Sequence, residues 1–222
     1  MAAPSAAGAQ TWGGTLTAVT ERVSRGISLS GDHPGATADL YYRDDRNWSL
    51  GLGLGTMRAA YGATTEVILS GTRWWQLDDR RTVMVSAAHY AYAGGAASDR
   101  LRYSEVSAGG TWDMARWGQW SGTLSVSPDL SSSNAWGYLG HRGATLVELT
   151  WHRRLVGPVA ADLGWGLVDP WARGSGAYRF ANAGLSVSVG DWRFSVTRLY
   201  SSVPRGNDDA LQRWVGGVAW SF

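Results

Sequence analysis

Apolar and polar side chains alternate along most of this chain. Trp48, Leu50, Leu52 and Leu54 are interleaved with Ser49, Gly51, Gly53 and Gly55. Trp120, Gly122, Leu124 and Val126 are interleaved with Gln119, Ser121, Thr123 and Ser125. The same holds for Leu163, Trp165 and Leu167 against Asp162, Gly164 and Gly166, and for Leu185, Val187 and Val189 against Gly184, Ser186 and Ser188. Successive side chains of a strand point to opposite faces, so each stretch has one apolar face and one polar or very small face. The pattern predicts strands at about 15–27, 36–43, 48–57, 64–75, 82–92, 101–112, 117–127, 143–153, 158–167, 177–189, 192–200 and 212–222. These are about twelve segments of roughly ten residues, the length a tilted strand needs to cross a bilayer. In segment 82–92 the inward face is ambiguous, because Val83 and Val85 have the opposite parity to Tyr90 and Tyr92.

The connections alternate in length. Asp44 to Asn47, Gln76 to Arg81, Asp113 to Arg116, Arg154 to Gly157 and Gly190-Asp191 are short. Ser28 to Gly35, Arg58 to Ala63, Ala93 to Arg100, Pro128 to Arg142, Val168 to Gly176 and Ser201 to Leu211 are longer. Short turns at one end and longer loops at the other predict a closed antiparallel transmembrane β-barrel, all-β, with periplasmic turns and extracellular loops. The sheet must close because lipid offers backbone polar groups no hydrogen-bond partner. Pro128 to Arg142 is the loop expected to fold inward if any loop plugs the lumen.

Composition supports this class. No window holds the about 18 uninterrupted apolar residues a spanning helix requires. The chain has 30 Gly, 14 Trp and no Cys, and Arg accounts for all 20 basic residues. Without Cys, no disulfide framework or thiolate metal site can form. The net charge of +2 gives no reason to expect nucleic acid as a partner. Met1 to Gln10 lacks a basic n-region and an apolar h-region, so the chain is read as mature after removal of a signal peptide. Residues 1–12 are expected to be a flexible segment and 13–222 the barrel.

A soluble β-sandwich also alternates and also has Gly-rich turns. Two features favour the membrane. The polar face is rich in Gly, Ser and Thr, as suits a confined lumen. Aromatic residues gather at strand ends, as in the interfacial girdles of membrane barrels. Trp48, Trp75, Trp112, Trp117, Trp151, Trp192 and Trp214 are expected at the periplasmic interface, and Trp165 in the outer belt.

The final strand carries Trp214, Gly217, Trp220 and Phe222. The terminal Phe with an aromatic two residues before it resembles the C-terminal signal read by the barrel-assembly machinery, which this resemblance implies as a partner during biogenesis. The family pattern prefers a polar residue where Val215 stands. A second resemblance lies in Val19 to Ser30, with its Arg25-Gly26-Ile27-Ser28 element, followed by Pro34 and the segment Ala36 to Arg43. It is similar to the opening of the TorF-type porin family. This resemblance covers roughly residues 15–45 and implies an outer-membrane porin.

With apolar residues facing lipid, Glu21, Asp39, Glu66, Glu105, Glu148 and Asp162 face inward, mostly near mid-strand. An Arg on the lipid face at mid-depth would cost about 2–4 kcal/mol. Arg25, Arg43, Arg193, Arg213 and His152 share the inward face, with Arg193 and Arg213 expected near the periplasmic mouth. These groups either pair across the lumen and hold its shape, or the carboxylates form a mildly cation-preferring constriction. Outer-membrane lipid and small hydrophilic solutes are the expected partners, and no cofactor is indicated. Two other functions fit such a barrel: a lipid-acting enzyme, or a structural or adhesive barrel without an open pore. None of His33, His89, His141 and His152 sits in a nucleophile or metal motif, so no catalytic or metal site is assigned.

Overall fold

The computed structural model describes residues 11–58, 63–95, 102–134, 137–171, 176–203 and 211–222. β1 (Thr11–Val19) leads into a small hairpin of β2 (Val23–Ser24) and β3 (Ile27–Ser28). Eleven long strands follow: β4 (Gly35–Arg43), β5 (Trp48–Thr56), β6 (Thr65–Asp78), β7 (Arg81–Ala93), β8 (Tyr103–Asp113), β9 (Gln119–Asn134), β10 (Gly137–Val156), β11 (Val159–Pro170), β12 (Tyr178–Val189), β13 (Trp192–Ser201) and β14 (Leu211–Ser221). β1 and β4 to β14 form a closed antiparallel barrel of twelve strands, each beside its neighbours in the chain. β1 closes it against β14, from Thr15 opposite Ser221 to Val19 opposite Gly217. Closure removes the sheet edges that lipid could not satisfy.

Period-two alternation sets the two faces. Leu16, Leu40, Leu50, Leu52, Leu69, Val106, Leu124, Leu149, Leu163, Leu185 and Val196 are exposed large apolar side chains on the outer wall. A continuous apolar exterior of this kind is matched to lipid. Glycine, serine, threonine and the charged side chains take the alternate positions. For β7 the inward face is that of Tyr90 and Tyr92: Tyr92 donates to Glu66 at 3.1 Å, and Tyr90 stacks on Tyr103 with ring centroids 4.3 Å apart. Val85 faces outward and is exposed.

Trp48, Trp75, Trp112, Trp117 and Trp192 lie beside short turns and are exposed. Trp214 does not join them. It pairs with Arg198 near the long-loop end of β13, because β14 runs from that end back toward the short turns. Trp220 is the β14 indole at the short-turn end, 6.3 Å from Trp192 and 5.0 Å from Phe222 between ring centroids. Trp74 points inward, with the Arg43 guanidinium 4.8 Å from its ring.

Two segments depart from the sequence reading. The first strand is Thr11–Val19 rather than 15–27, and the chain beyond it leaves the wall. Pro128 to Arg142 is not a long loop, because β9 continues to Asn134 and β10 starts at Gly137. Their register runs up to Gly137 opposite Asn134, with irregularities between Tyr138 and Gly140 and between Arg142 and Ala144. Ladder hydrogen bonds between the two strands override the loop-like composition of the serine run.

Candidate functional site

The segment that enters the lumen is Thr20 to Pro34, between β1 and β4. Its tip is a two-residue turn, with Val23 opposite Ser28 and Ser24 opposite Ile27. Arg25 and Gly26 both have positive φ, 49° and 75°, as the tight hairpin turn that matches strand twist requires. The base is tied by Leu29 N–H donating to Arg22 O at 2.7 Å. Arg22 N–H donates to Ser30 Oγ at 2.8 Å, and Ser30 Oγ donates to His33 O at 2.6 Å. Ser30 is buried.

Three arginines fasten this hairpin to the wall. Arg25, at the tip, donates from Nη1 to Glu105 Oε2 at 2.7 Å and from Nη2 to Glu105 Oε1 at 2.9 Å. A fork on a carboxylate of this kind is among the stronger ion-pair geometries. The same guanidinium lies 3.7 Å from Glu148 Oε2. Glu105 is on β8 and Glu148 on β10, the strands flanking β9, which stands opposite β1 in the twelve-strand order. The hairpin thus leaves one wall and reaches the far one through the Arg25 side chain. Arg22 pairs with Glu66 on β6 and donates to Thr56 O at 3.2 Å. Arg213 on β14 pairs with Glu21 at 3.0 Å and with Asp32, so it holds both ends of the segment. Glu21, Glu66 and Glu105 are all buried. A buried carboxylate persists as an ion only with such partners.

The wall is shaped to receive these groups. A Cβ at Gly55 would lie 2.6 Å from the Arg22 Nη atoms, so this site in β5 leaves room for the guanidinium. A Cβ at Gly26 would stand 2.7 Å from the Cβ atoms of both Phe180 and Ser201. The hairpin tip therefore rests directly on β12 and β13. Below it Ala144, Leu146, Val168 and Phe180 form a small buried cluster, with Tyr178 packed against it. These apolar residues sit on the inward face and would otherwise meet lumenal water. Burial of a Leu or Phe side chain is worth about 1.5–3 kcal/mol.

A second polar cluster lies nearer the short-turn end. Asp162 on β11 receives His152 Nδ1 at 2.7 Å, Ser186 Oγ at 3.0 Å and Arg193 Nη2 at 2.8 Å. Serine, histidine and aspartate are all present, but the aspartate is in the middle. Ser186 Oγ donates to Asp162, and the histidine nitrogen facing this cluster is also engaged by Asp162. This arrangement orients both groups on the carboxylate and does not activate the hydroxyl. Among the described residues no group of histidine, aspartate and glutamate side chains is placed to hold a metal ion.

The inward-facing residues named from the sequence fall into two layers. Glu21, Glu66, Glu105, Glu148 and Arg213 gather around the hairpin, and Asp162 and Arg193 around the lower cluster. Glu66 and Glu105 stand close to the long-loop ends of their strands. Glu21 lies on the inserted segment, beyond the end of β1. Arg213, near the start of β14, belongs to the long-loop end and not to the opposite mouth. Asp39 lines the wall between the layers and is exposed to the lumen, where it faces Gly53. The sequence reading missed Arg22 and Asp32. Their signal was the charge-rich run Glu21-Arg22 together with Pro34, which marks a turn-bearing segment rather than a strand.

No family model matches the sequence, and no curated protein matches it. Solved structures are similar in fold. A NanC porin aligns with a TM-score of 0.66 at 10% identity, over 94% of this chain and 98% of that one. A KdgM porin aligns with a TM-score of 0.59 at 10% identity, over 95% of this chain and 99% of that one. A bacterial polysaccharide outer membrane secretin aligns with a TM-score of 0.50 at 12% identity, over 95% and 97% of the two chains. Across nearly its whole length, the chain has the closed-barrel fold of these porins.

Proposed function

We propose that this protein is a porin-like channel of a bacterial outer membrane, passing small hydrophilic solutes or ions by diffusion with a mild preference for cations. The observation that carries this reading is the inward face. Gly51, Gly53, Ser121, Thr123, Gly164 and Ser195 line it, inside a wall whose outer face is apolar. Small side chains leave volume open in a barrel somewhat wider than the eight-strand kind that side chains fill. The fold similarity to porins and the resemblance of the Arg25-Gly26-Ile27-Ser28 element to the TorF-type family support the same function. Short turns then face the periplasm and the hairpin enters from outside.

The preference for cations rests on a count around the hairpin. In the ion-pair network that holds the hairpin, five carboxylates, Glu21, Asp32, Glu66, Glu105 and Glu148, meet the three guanidinium groups of Arg22, Arg25 and Arg213. A low-dielectric wall strengthens the field of this excess. Folded protein in a planar bilayer tests the proposal. The expected result is a steady conductance and, under a salt gradient, a reversal potential displaced toward that of cations. No conductance, combined with hydrolysis of the surrounding lipid, would replace the channel with an enzyme.

A further inference from the structure

The geometry points to the Glu21–Pro34 hairpin as the selectivity element of the channel, with Arg25 as the residue that sets the charge of the passage beside it. The inference rests on the channel reading above. Four observations carry it. The hairpin grows from β1, seats its tip on β12 and β13, and reaches across the lumen through the Arg25 side chain to Glu105 and Glu148 on strands flanking the opposite wall. It is fastened on three sides, by Arg25, Arg22 and Arg213. Its tip covers a prepared seat, in which Ser201 and Phe180 leave no space for a side chain at position 26. The fourth concerns charge. Arg25 serves two wall carboxylates at once: it forks fully on Glu105, while Glu148 stays 3.7 Å away and 31% exposed. Glu148 is thus only partly neutralised and faces the passage.

A solute entering from the long-loop side has to pass the hairpin and meets Glu148 with Arg25 beside it. The solute class this favours is small and cationic or zwitterionic, its ammonium drawn to Glu148 and any carboxylate tolerated by Arg25. An anionic oligomer meets an acidic excess beside the hairpin.

The chain has no cysteine, so one introduced thiol is an unambiguous reporter. Ser201 is fully buried under Gly26, and Ser201→Cys places the reporter there. Leu29 N–H already bonds Arg22 O, so a two-glycine turn can replace Val23–Ser28 without opening the base. In folded protein a water-soluble maleimide should modify this thiol at least about tenfold faster in the shortened chain than in the full one, and conductance should rise in parallel as the cross-section opens. Arg25→Gln, a milder change, should move the reversal potential further toward cations, and Arg25→Lys should restore it. Heat-modifiable migration on gels confirms that each variant is folded. Equal thiol reactivity with and without the hairpin overturns its seat in the lumen. A reversal potential that is unmoved, or moved toward anions, in Arg25→Gln overturns the role of Arg25. If neither full nor shortened chain conducts while the thiol still becomes reactive, the channel reading fails and the hairpin's role in selectivity falls with it, leaving only its seat.

Discussion

Phe222 and Gly14 exchange both backbone hydrogen bonds across the β1–β14 seam, at 3.0 and 3.1 Å, and the Phe222 ring occupies the space a side chain at 14 would need. A Cβ at 14 would lie 2.5 Å from Phe222 Cζ and 2.8 Å from the Asp39 carbonyl oxygen. The ring can swing away, but the backbone carbonyl cannot. Gly14→Val is therefore expected to destabilise the closed barrel by about 1–3 kcal/mol, the usual range for overpacking. Phe222→Ala should weaken the same seam by removing the ring from Trp220. Urea unfolding in detergent, followed by heat-modifiable migration, measures both. Unchanged midpoints would show that the seam does not depend on this contact.

Glu105 and Glu148 share one guanidinium unequally. Removing one partner of a buried ion pair costs about 3–5 kcal/mol when the other charge is left alone. In Glu105→Gln the nearby Glu148 limits the damage, so a loss toward the lower end of that range is expected. Glu148→Gln should cost much less, because its contact is longer and part-exposed. The order of the two unfolding midpoints checks this, and the reverse order would mean that Arg25 is anchored mainly by Glu148.

The double variant Glu148→Gln with Asp162→Asn tests ion preference in both layers. It removes a carboxylate beside the hairpin and frees Arg193 from its 2.8 Å partner below. Both changes make the lumen more positive. The reversal potential under a salt gradient is expected to shift toward anions with the barrel still folded. An unchanged potential would leave these groups a purely structural role.

Trp192 and Trp214 are expected in opposite leaflets. Trp192 starts β13 beside a short turn, whereas Trp214 lies opposite Arg198 near the other end of that strand. Interfacial indoles sit at headgroup depth. Spin labels on cysteines introduced singly at the two positions should both read a shallow depth. A membrane-impermeant relaxation agent added on one side should reach only one of them. Equal access from the same side would reverse the assigned course of β14.

The number of strands and, outside segment 82–92 and the first strand, which of their side chains face outward were legible in the sequence. Both follow from the two-residue period, a local property that Leu50, Leu52 and Leu54 against Gly51, Gly53 and Gly55 display without reference to any other strand. Alternating turn lengths then set the order around the barrel. Ser28 to Gly35 reads as a loop, but the inward turn at Glu21 to Ile27 was not legible, because its alternation continues that of β1 and a hairpin that folds inward has the same period as a strand that continues upward. Its course is decided by partners far along the chain, such as Glu66 for Arg22, Glu105 for Arg25 and Arg213 for Glu21. Those pairs meet only once the sheet has closed and brought β8, β10 and β14 around the same lumen. Arg213 lies just past the long connection Ser201 to Leu211, so its mouth follows from the alternating turn lengths, whereas the serine run of β9 reads as a loop because only the ladder with β10 extends the strand. Strand direction and ladder length are properties of the assembled sheet, and residue type at a single position does not encode them.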